Sequence, residues 1–350
     1  MKTEYFKALE SLDDYALNLI IEAYKRGELV AFPTETVYGL GADAFNEEAV
    51  SLVYKVKGRP SDNPLILHIG QLSQLEEIVE SVPEKGKALI KAFWPGPLTL
   101  VLKEKANLFP KNIGVKGTIG VRMPGQLVTE AIFSQGDLVI AAPSANLSGR
   151  PSPTTASHVL EDLDGKIWGI VDGGPCEEGI ESTIISLVGN EPILLRPGTI
   201  TKEMIEEIIG PIKIDDSLLS PNQGTVALAP GMKYKHYAPE GKGYIINPRE
   251  DIDAILKVVE KEKIEKENVA LLVFDNNESH YKLNIGHLFT LGKENKLQEV
   301  IHNFYRVLRE CDKLGVELLF IESSKEEGLG FSYMNRLKKA ANYNYLDKGD

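Results

Sequence analysis

Lys57-Gly58-Arg59-Pro60-Ser61-Asp62-Asn63-Pro64-Leu65-Ile66-Leu67-His68 sets two cations around one glycine, stiffens the next turn with two prolines, and ends an apolar strand on a histidine. Lys and Arg on a rigid turn suit a multiply charged anion held in one pose, because backbone N–H groups and a guanidinium fork can converge on the same oxygens. A solvated basic turn would have the same composition, so the segment gains its meaning from its company. Three other stretches set hydroxyls and amides on glycine- and proline-braced loops beside apolar strands. They are Pro33-Thr34-Glu35-Thr36-Val37-Tyr38-Gly39-Leu40-Gly41-Ala42-Asp43, the run APSANLSGRPSPT from Ala142 to Thr154, and Glu181-Ser182-Thr183 with Arg196-Pro197-Gly198-Thr199.

Within these stretches, Thr36 stands at a strand end, where a hydroxyl can either cap a turn or meet a ligand. His68 ends the next strand; a histidine in an apolar strand is usually a core residue, but neighbouring strands would bring it to the same sheet end as Thr36. Thr118-Ile119-Gly120-Val121-Arg122 delivers another cation from a strand end. No G-x-x-x-x-G-K-[ST] occurs, so nucleotide binding would not use a P-loop. Gly39-Leu40-Gly41-Ala42-Asp43-Ala44 satisfies the loose dinucleotide fingerprint, but the expected helix starts late, near Asn46, and no acid closes the following strand. The glycines read instead as a closely packed turn after Thr36.

The elements that must position these residues follow from periodicity. Strands are expected near 28–33, 65–69, 98–102, 119–123, 138–142, 168–171, 182–187 and 193–196. Helices are expected over 14–26, 47–56, 72–81, 85–93, 126–133, 155–161 and 202–209, the second N-capped by Asn46. The alternation is irregular, which favours a mixed, strongly twisted α/β sheet over a doubly wound parallel one. Residues 211–242 carry proline and glycine without sustained periodicity and read as a linker. A second alternation from Gly243 predicts a smaller Rossmann-like α/β domain, giving a division of 1–210, 211–242 and 243–350.

The chain has 350 residues, enough for two cores, with 43% apolar and 26% charged residues and no low-complexity tract. No apolar run is long enough to span a bilayer, and the first ten residues lack a signal peptide's apolar core, so a cytoplasmic location is expected. Cys176 and Cys311 belong to no C-x-x-C pair, and no carboxylate cluster looks like a metal cage. A net charge of −12 argues against a broad nucleic-acid-binding face and against stable nucleic-acid binding.

Taken in order, the four motifs resemble the YrdC-type threonylcarbamoyl-AMP synthase family across residues 15–210, and the rest resembles the long, two-domain form of that family. The resemblance implies an L-threonylcarbamoyladenylate synthase, a nucleotidyltransferase that joins L-threonine, bicarbonate or CO₂, and ATP, and releases pyrophosphate. Its product is the donor for threonylcarbamoyladenosine modification of tRNA by a downstream transferase machinery. It implies that Lys57 and Arg59 serve catalysis, and that Arg59, Asn63, Thr118, Ser144, Ser152, Arg196 and Tyr234 contact ATP. It implies that Thr36, His68, Arg122, Ala142 and Ser182 contact L-threonine. At Ala142 only a backbone contact is carried over, because relatives can have threonine there. Mg²⁺ is implied as a companion of ATP. In long-form relatives the linker folds over the active site, here with Lys233-Tyr234-Lys235-His236-Tyr237. The alternatives are an RNA-binding assembly factor on the same fold, and a carbamoyl-adenylate-forming maturation enzyme whose zinc-finger and acylphosphatase-like modules this chain lacks.

Overall fold

A computed structural model describes residues 2–9, 11–106, 108–219, 230, 237–281 and 285–346. It divides into two compact units, Met1–Ser148 with Ser152–Tyr234, and Gly149–Pro151 with Lys235–Asp350.

The described strands of the first unit are β1 (Glu4–Lys7), β2 (Val30–Phe32), β3 (Gly39–Asp43), β4 (Ile66–His68), β5 (Leu98–Lys103), β6 (Thr118–Arg122), β7 (Ile140–Ala142), β8 (Gly169–Asp172), β9 (Thr183–Ser186), β10 (Ile193–Arg196) and β11 (Lys213–Ile214). They form one sheet in the order β1-β8-β2-β3-β7-β4-β6-β5-β9-β10-β11. Parallel pairs such as β4–β6 and β5–β9 alternate with antiparallel ones such as β4–β7 and β5–β6, so the sheet is mixed as expected. Its helices are α1 (Asp14–Lys25), α2 (Glu47–Lys57), α3 (Leu72–Ile78), α4 (Glu84–Phe93), α5 (Leu127–Gly136), α6 (Ala156–Leu163), α7 (Lys202–Ile209) and α8 (Asp216–Leu219). One core packs α1 and α5 on β2 and β7: Ile20, Tyr24, Phe32, Phe133 and Ile140 are fully buried, and Phe133 meets Phe32 and Tyr24 edge-on.

Local chemistry sets the ends of α2, which delivers the cation loop. Asn46 Oδ1 accepts from the Ala49 amide at 3.1 Å, the expected N-cap, and Glu47 and Glu48 follow in the first turn. At the other end Gly58 takes φ +62°, a left-handed cap that costs glycine little, and the chain turns directly into Arg59.

Two sequence expectations are corrected. Residues 39–43 form β3 rather than a turn, antiparallel to β2 and β7. The glycines are there for close packing: a Cβ on Gly39 would stand 2.6 Å from the Phe32 ring, and one on Gly41 2.7 Å from Ile140 Cγ2. No helix opens at this fingerprint, so it is not a dinucleotide turn. The first part of the segment read as linker contains β11, parallel to β10, and α8. The edge strand β1, which pairs with β8, escaped the sequence reading because most of its residues are exposed and leave no alternation.

In the second unit, β12 (Lys242–Ile246), β13 (Val269–Val273), β14 (His287–Thr290) and β15 (Leu318–Glu322) alternate with α9 (Ile252–Glu262), α10 (Leu297–Lys313) and α11 (Leu329–Ala340). The sheet is all-parallel in the order β12-β15-β13-β14. β13 and β15 are buried at every residue, which explains their unbroken apolar runs. Buried Glu322 at the end of β15 accepts from the Phe274 and Arg249 amides and from Asn277 Nδ2, which compensates its burial.

Candidate active site

Sheet register brings the first three residues together. His68 on β4 lies opposite Arg122 on β6, and opposite Ile140 on β7. Arg122 Nη1 donates to Thr36 Oγ1 at 2.7 Å, and its Nε donates to the Gly96 carbonyl at 3.2 Å. The Thr34 hydroxyl shapes the turn that presents Thr36, accepting from the Thr36 and Val37 amides and lying 2.8 Å from Thr36 Oγ1. Thr36, His68 and Arg122 are all buried, at 1%, 5% and 3% exposure. Burial and the neighbouring Arg122 charge pull the His68 pKa down to about 3, against the opposing pull of the Ile66 and Ile140 carbonyls. The ring is therefore neutral near pH 7 and acts as a polar contact rather than a charged one. Its Nδ1 lies 3.1 Å from the Ile66 carbonyl oxygen.

Lys57, the last residue of α2, is 2% exposed. Its ammonium donates to the Ser144 carbonyl at 2.5 Å and to the Asn146 carbonyl, and so fixes the Ser144–Asn146 loop. In the same loop the Ser144 hydroxyl donates to Asn146 Oδ1 at 2.5 Å. Arg59 bends back over its own turn, with Nε on the Asn63 carbonyl at 3.2 Å and Nη2 on the Pro64 carbonyl at 2.9 Å. Asn63 is 1% exposed, and its carbonyl also accepts from Tyr54 Oη. Pro64 lines a narrow crevice of about 10 Å³, the room of roughly one water, together with Thr99, Thr118, Gly120, Ile184 and Pro230. Thr118 Oγ1 donates to the Val115 carbonyl at its rim.

A third group joins Ser152, Ser182 and Arg196. The fully buried Ser152 hydroxyl donates to Glu181 Oε1 at 2.5 Å. The next residue, Ser182, accepts from Arg196 twice, at its carbonyl from Nε and at its hydroxyl from Nη2, while its hydroxyl lies 2.8 Å from Thr99 Oγ1. Arg196 Nη1 donates to the carbonyl of Pro230 at 3.3 Å, and Pro230 lines the same crevice as Thr118. Among the expected threonine contacts, Ser182 thus stands in hydrogen-bonded contact with Arg196, whereas Thr36 is bonded to Arg122. Ala142 is the buried end of β7, opposite Ile66. Tyr234 lies outside the described residues.

The residues passed over in the sequence reading are Glu35, Thr99, Asn146 and Glu181. Asn146 and Glu181 sat inside motifs already quoted and could have been named from them. Thr99, within Leu98-Thr99-Leu100, gave no signal, because a threonine in a β-strand is ordinary.

Comparison with known proteins agrees over the whole chain. A family model described as "Telomere recombination", that of the Sua5, YciO and YrdC proteins, matches residues 22–198. A second, described as "Threonylcarbamoyl-AMP synthase, C-terminal domain", matches residues 200–342. A Bacillus subtilis protein named threonylcarbamoyl-AMP synthase is 45% identical over 318 residues, covering 91% of this chain and 90% of the relative. A Pyrococcus abyssi protein of the same name is 42% identical over 343 residues, covering 96% and 97%. The crystal structure of P. abyssi Sua5 complexed with L-threonine superposes with a TM-score of 0.89 at 40% identity, covering 98% of this chain and 99% of that one.

Proposed function

The chain belongs to the two-domain threonylcarbamoyl-AMP synthase family, and on that premise we propose that it joins L-threonine, bicarbonate and ATP into L-threonylcarbamoyl-AMP and releases pyrophosphate. The observation that carries this reading is the buried Thr36–Arg122–His68 corner. It offers a cation for a carboxylate, and a hydroxyl and a neutral imidazole as polar partners for a substrate hydroxyl.

In this reading the threonine amine attacks the carbon of bicarbonate. An N–C bond forms, a C–O bond breaks, and the departing hydroxide leaves as water with a proton from nitrogen. A carbamate oxygen then attacks the α-phosphorus of ATP, and pyrophosphate leaves. The chain needs no covalent intermediate; it must position the reactants, neutralise charge and keep water from the carbamate. Arg59, Asn63, Thr118, Ser144, Ser152 and Arg196 are assigned to ATP. Arg59 and Arg196 each bond a proline carbonyl, and the two prolines, Pro64 and Pro230, line one crevice with Thr118, which supports a shared site for these residues. Lys57 keeps a catalytic assignment through the loop it holds: its bonds to the Ser144 and Asn146 carbonyls preset the backbone that would face the phosphates. Mg²⁺ would arrive on the triphosphate and shield its charge. Among the described residues no group of three His, Cys, Asp or Glu side chains is arranged to hold a metal ion. Tyr234 is assigned to ATP from the resemblance alone, and Tyr234→Ala should raise the KM for ATP. Among the described residues no helix is long and apolar enough to cross a membrane. A cytoplasmic setting, with a downstream transferase that uses the product on tRNA, belongs to the same reading.

Pyrophosphate release by the purified chain tests it. Release should require both L-threonine and bicarbonate, and L-valine should react at least about a hundredfold more slowly, because a pocket built for a hydroxyl leaves polar groups unpaired around a methyl. Release that ignores threonine would refute the reading.

A further inference from the structure

Glu35 lies in the Pro33–Asp43 motif, yet the reading above gives it no task. Its side chain is 10% exposed and that of Arg122 4%, with Arg122 Nη2 only 2.7 Å from Glu35 Oε1. Among the described residues, however, neither Glu35 oxygen nor Arg122 Nη2 has a hydrogen-bond partner. The two charges meet at contact distance with the N–H out of line. Glu35 Oε1 and Arg122 Nη2 offset each other's charge, but buried polar atoms without hydrogen bonds are costly, so this pair with Glu35 Oε2 calls for a group that completes it.

The surroundings fix the frame for that group. Arg122 is held from behind by the Gly96 carbonyl and the Thr36 hydroxyl. The Glu35 carbonyl accepts from the Glu178 amide at 2.8 Å, which anchors its backbone. Glu35 borders a second cleft with Thr34, Gly125, Gln126 and Gly173, while both of its carboxylate oxygens are buried. The completing group needs an acceptor for Arg122 and a cationic donor for Glu35, side by side. An α-amino acid bears both on one carbon.

We propose that Glu35 is a further substrate-binding residue, taking the α-ammonium of L-threonine while Arg122 takes its carboxylate; the ammonium passes one proton to the Glu35 carboxylate before its nitrogen attacks bicarbonate. The pair then reads the zwitterion, and it selects α-amino acids over α-hydroxy acids. This deepens the function proposed above and rests on it.

Calorimetric binding to the full chain tests the assignment, using L-threonine and the 2,3-dihydroxybutyrate of matching configuration, which has a hydroxyl in place of the ammonium. Wild type should prefer threonine at least a hundredfold. Glu35→Gln should cut that ratio at least tenfold and leave ATP affinity within twofold. An unchanged ratio, even with both ligands weakened, would make Glu35 a structural brace only and overturn the assignment. If the Gln variant does not fold, Glu35→Asp, which keeps the charge, decides together with the wild type. A wild-type ratio below tenfold, or a ratio lost in the Asp variant, overturns it; a ratio kept in both supports it. Threonine-dependent pyrophosphate release by wild type, measured alongside, separates failure of this assignment from failure of the function itself.

Discussion

Buried beside Arg122, His68 keeps a neutral ring through the physiological range, and two consequences follow. Its folded pKa of about 3 lies below the ordinary value of 6.5. Between these values the unfolded chain binds the extra proton, so this residue's contribution to stability rises with pH across that window and is lost as pH falls through it. Urea unfolding should therefore show wild type losing more stability between pH 7 and pH 5 than His68→Gln loses. Activity should show no limb near pH 6.5 that the same substitution removes; such a limb would make His68 a titrating base. Arg59 carries a separate prediction. Its guanidinium shapes a turn but is only half-buried, so Arg59→Ala should leave the fold intact. Its activity should fall by at least about 2 kcal/mol of transition-state stabilisation, roughly thirtyfold in kcat/KM. A folded variant within threefold of wild type would remove this loop from the site.

Strand β3 supplies the prediction that depends on packing. Gly41→Ala would push a Cβ to 2.7 Å from Ile140 Cγ2 and 2.8 Å from Tyr24 Oη, in a fully buried layer. Overpacking of this kind costs roughly 1–3 kcal/mol, and denaturant unfolding should show it; an unchanged midpoint would mean that the layer has slack. The same strand shows where the sequence could and could not be read. Strands β4 to β10 and helices α1 to α7 announced themselves through apolar periodicity, and α2 through its Asn46 cap, because burial on one face leaves a pattern. β3 did not, because its contact with Phe32 demands glycines, and glycines spell a turn in one dimension. The site divides in the same way. Thr36, His68 and Arg122 could be suspected from strand ends, but their union depends on β4 lying parallel to β6, a pairing between distant segments that no local pattern encodes. Glu35 stood in plain view as an ordinary polar residue; only its buried, misaligned contact with Arg122 singles it out.

The chain as a whole carries a net charge of −12, and Lys57, Arg122 and Arg196 are buried cations of its first unit. That distribution suits a small, polyanionic reactant drawn into a pocket better than a nucleic-acid strand laid on a surface. At physiological salt the purified protein should not co-elute with tRNA in gel filtration; stable co-elution would favour an RNA-binding role. The most direct test of the central claim is mass spectrometry of the reaction mixture. With L-threonine, ATP and ¹³C-bicarbonate, the account predicts threonylcarbamoyl-AMP carrying one ¹³C, formed in step with pyrophosphate. ADP and phosphate without the labelled adduct, or AMP formed whether or not threonine is present, would contradict it.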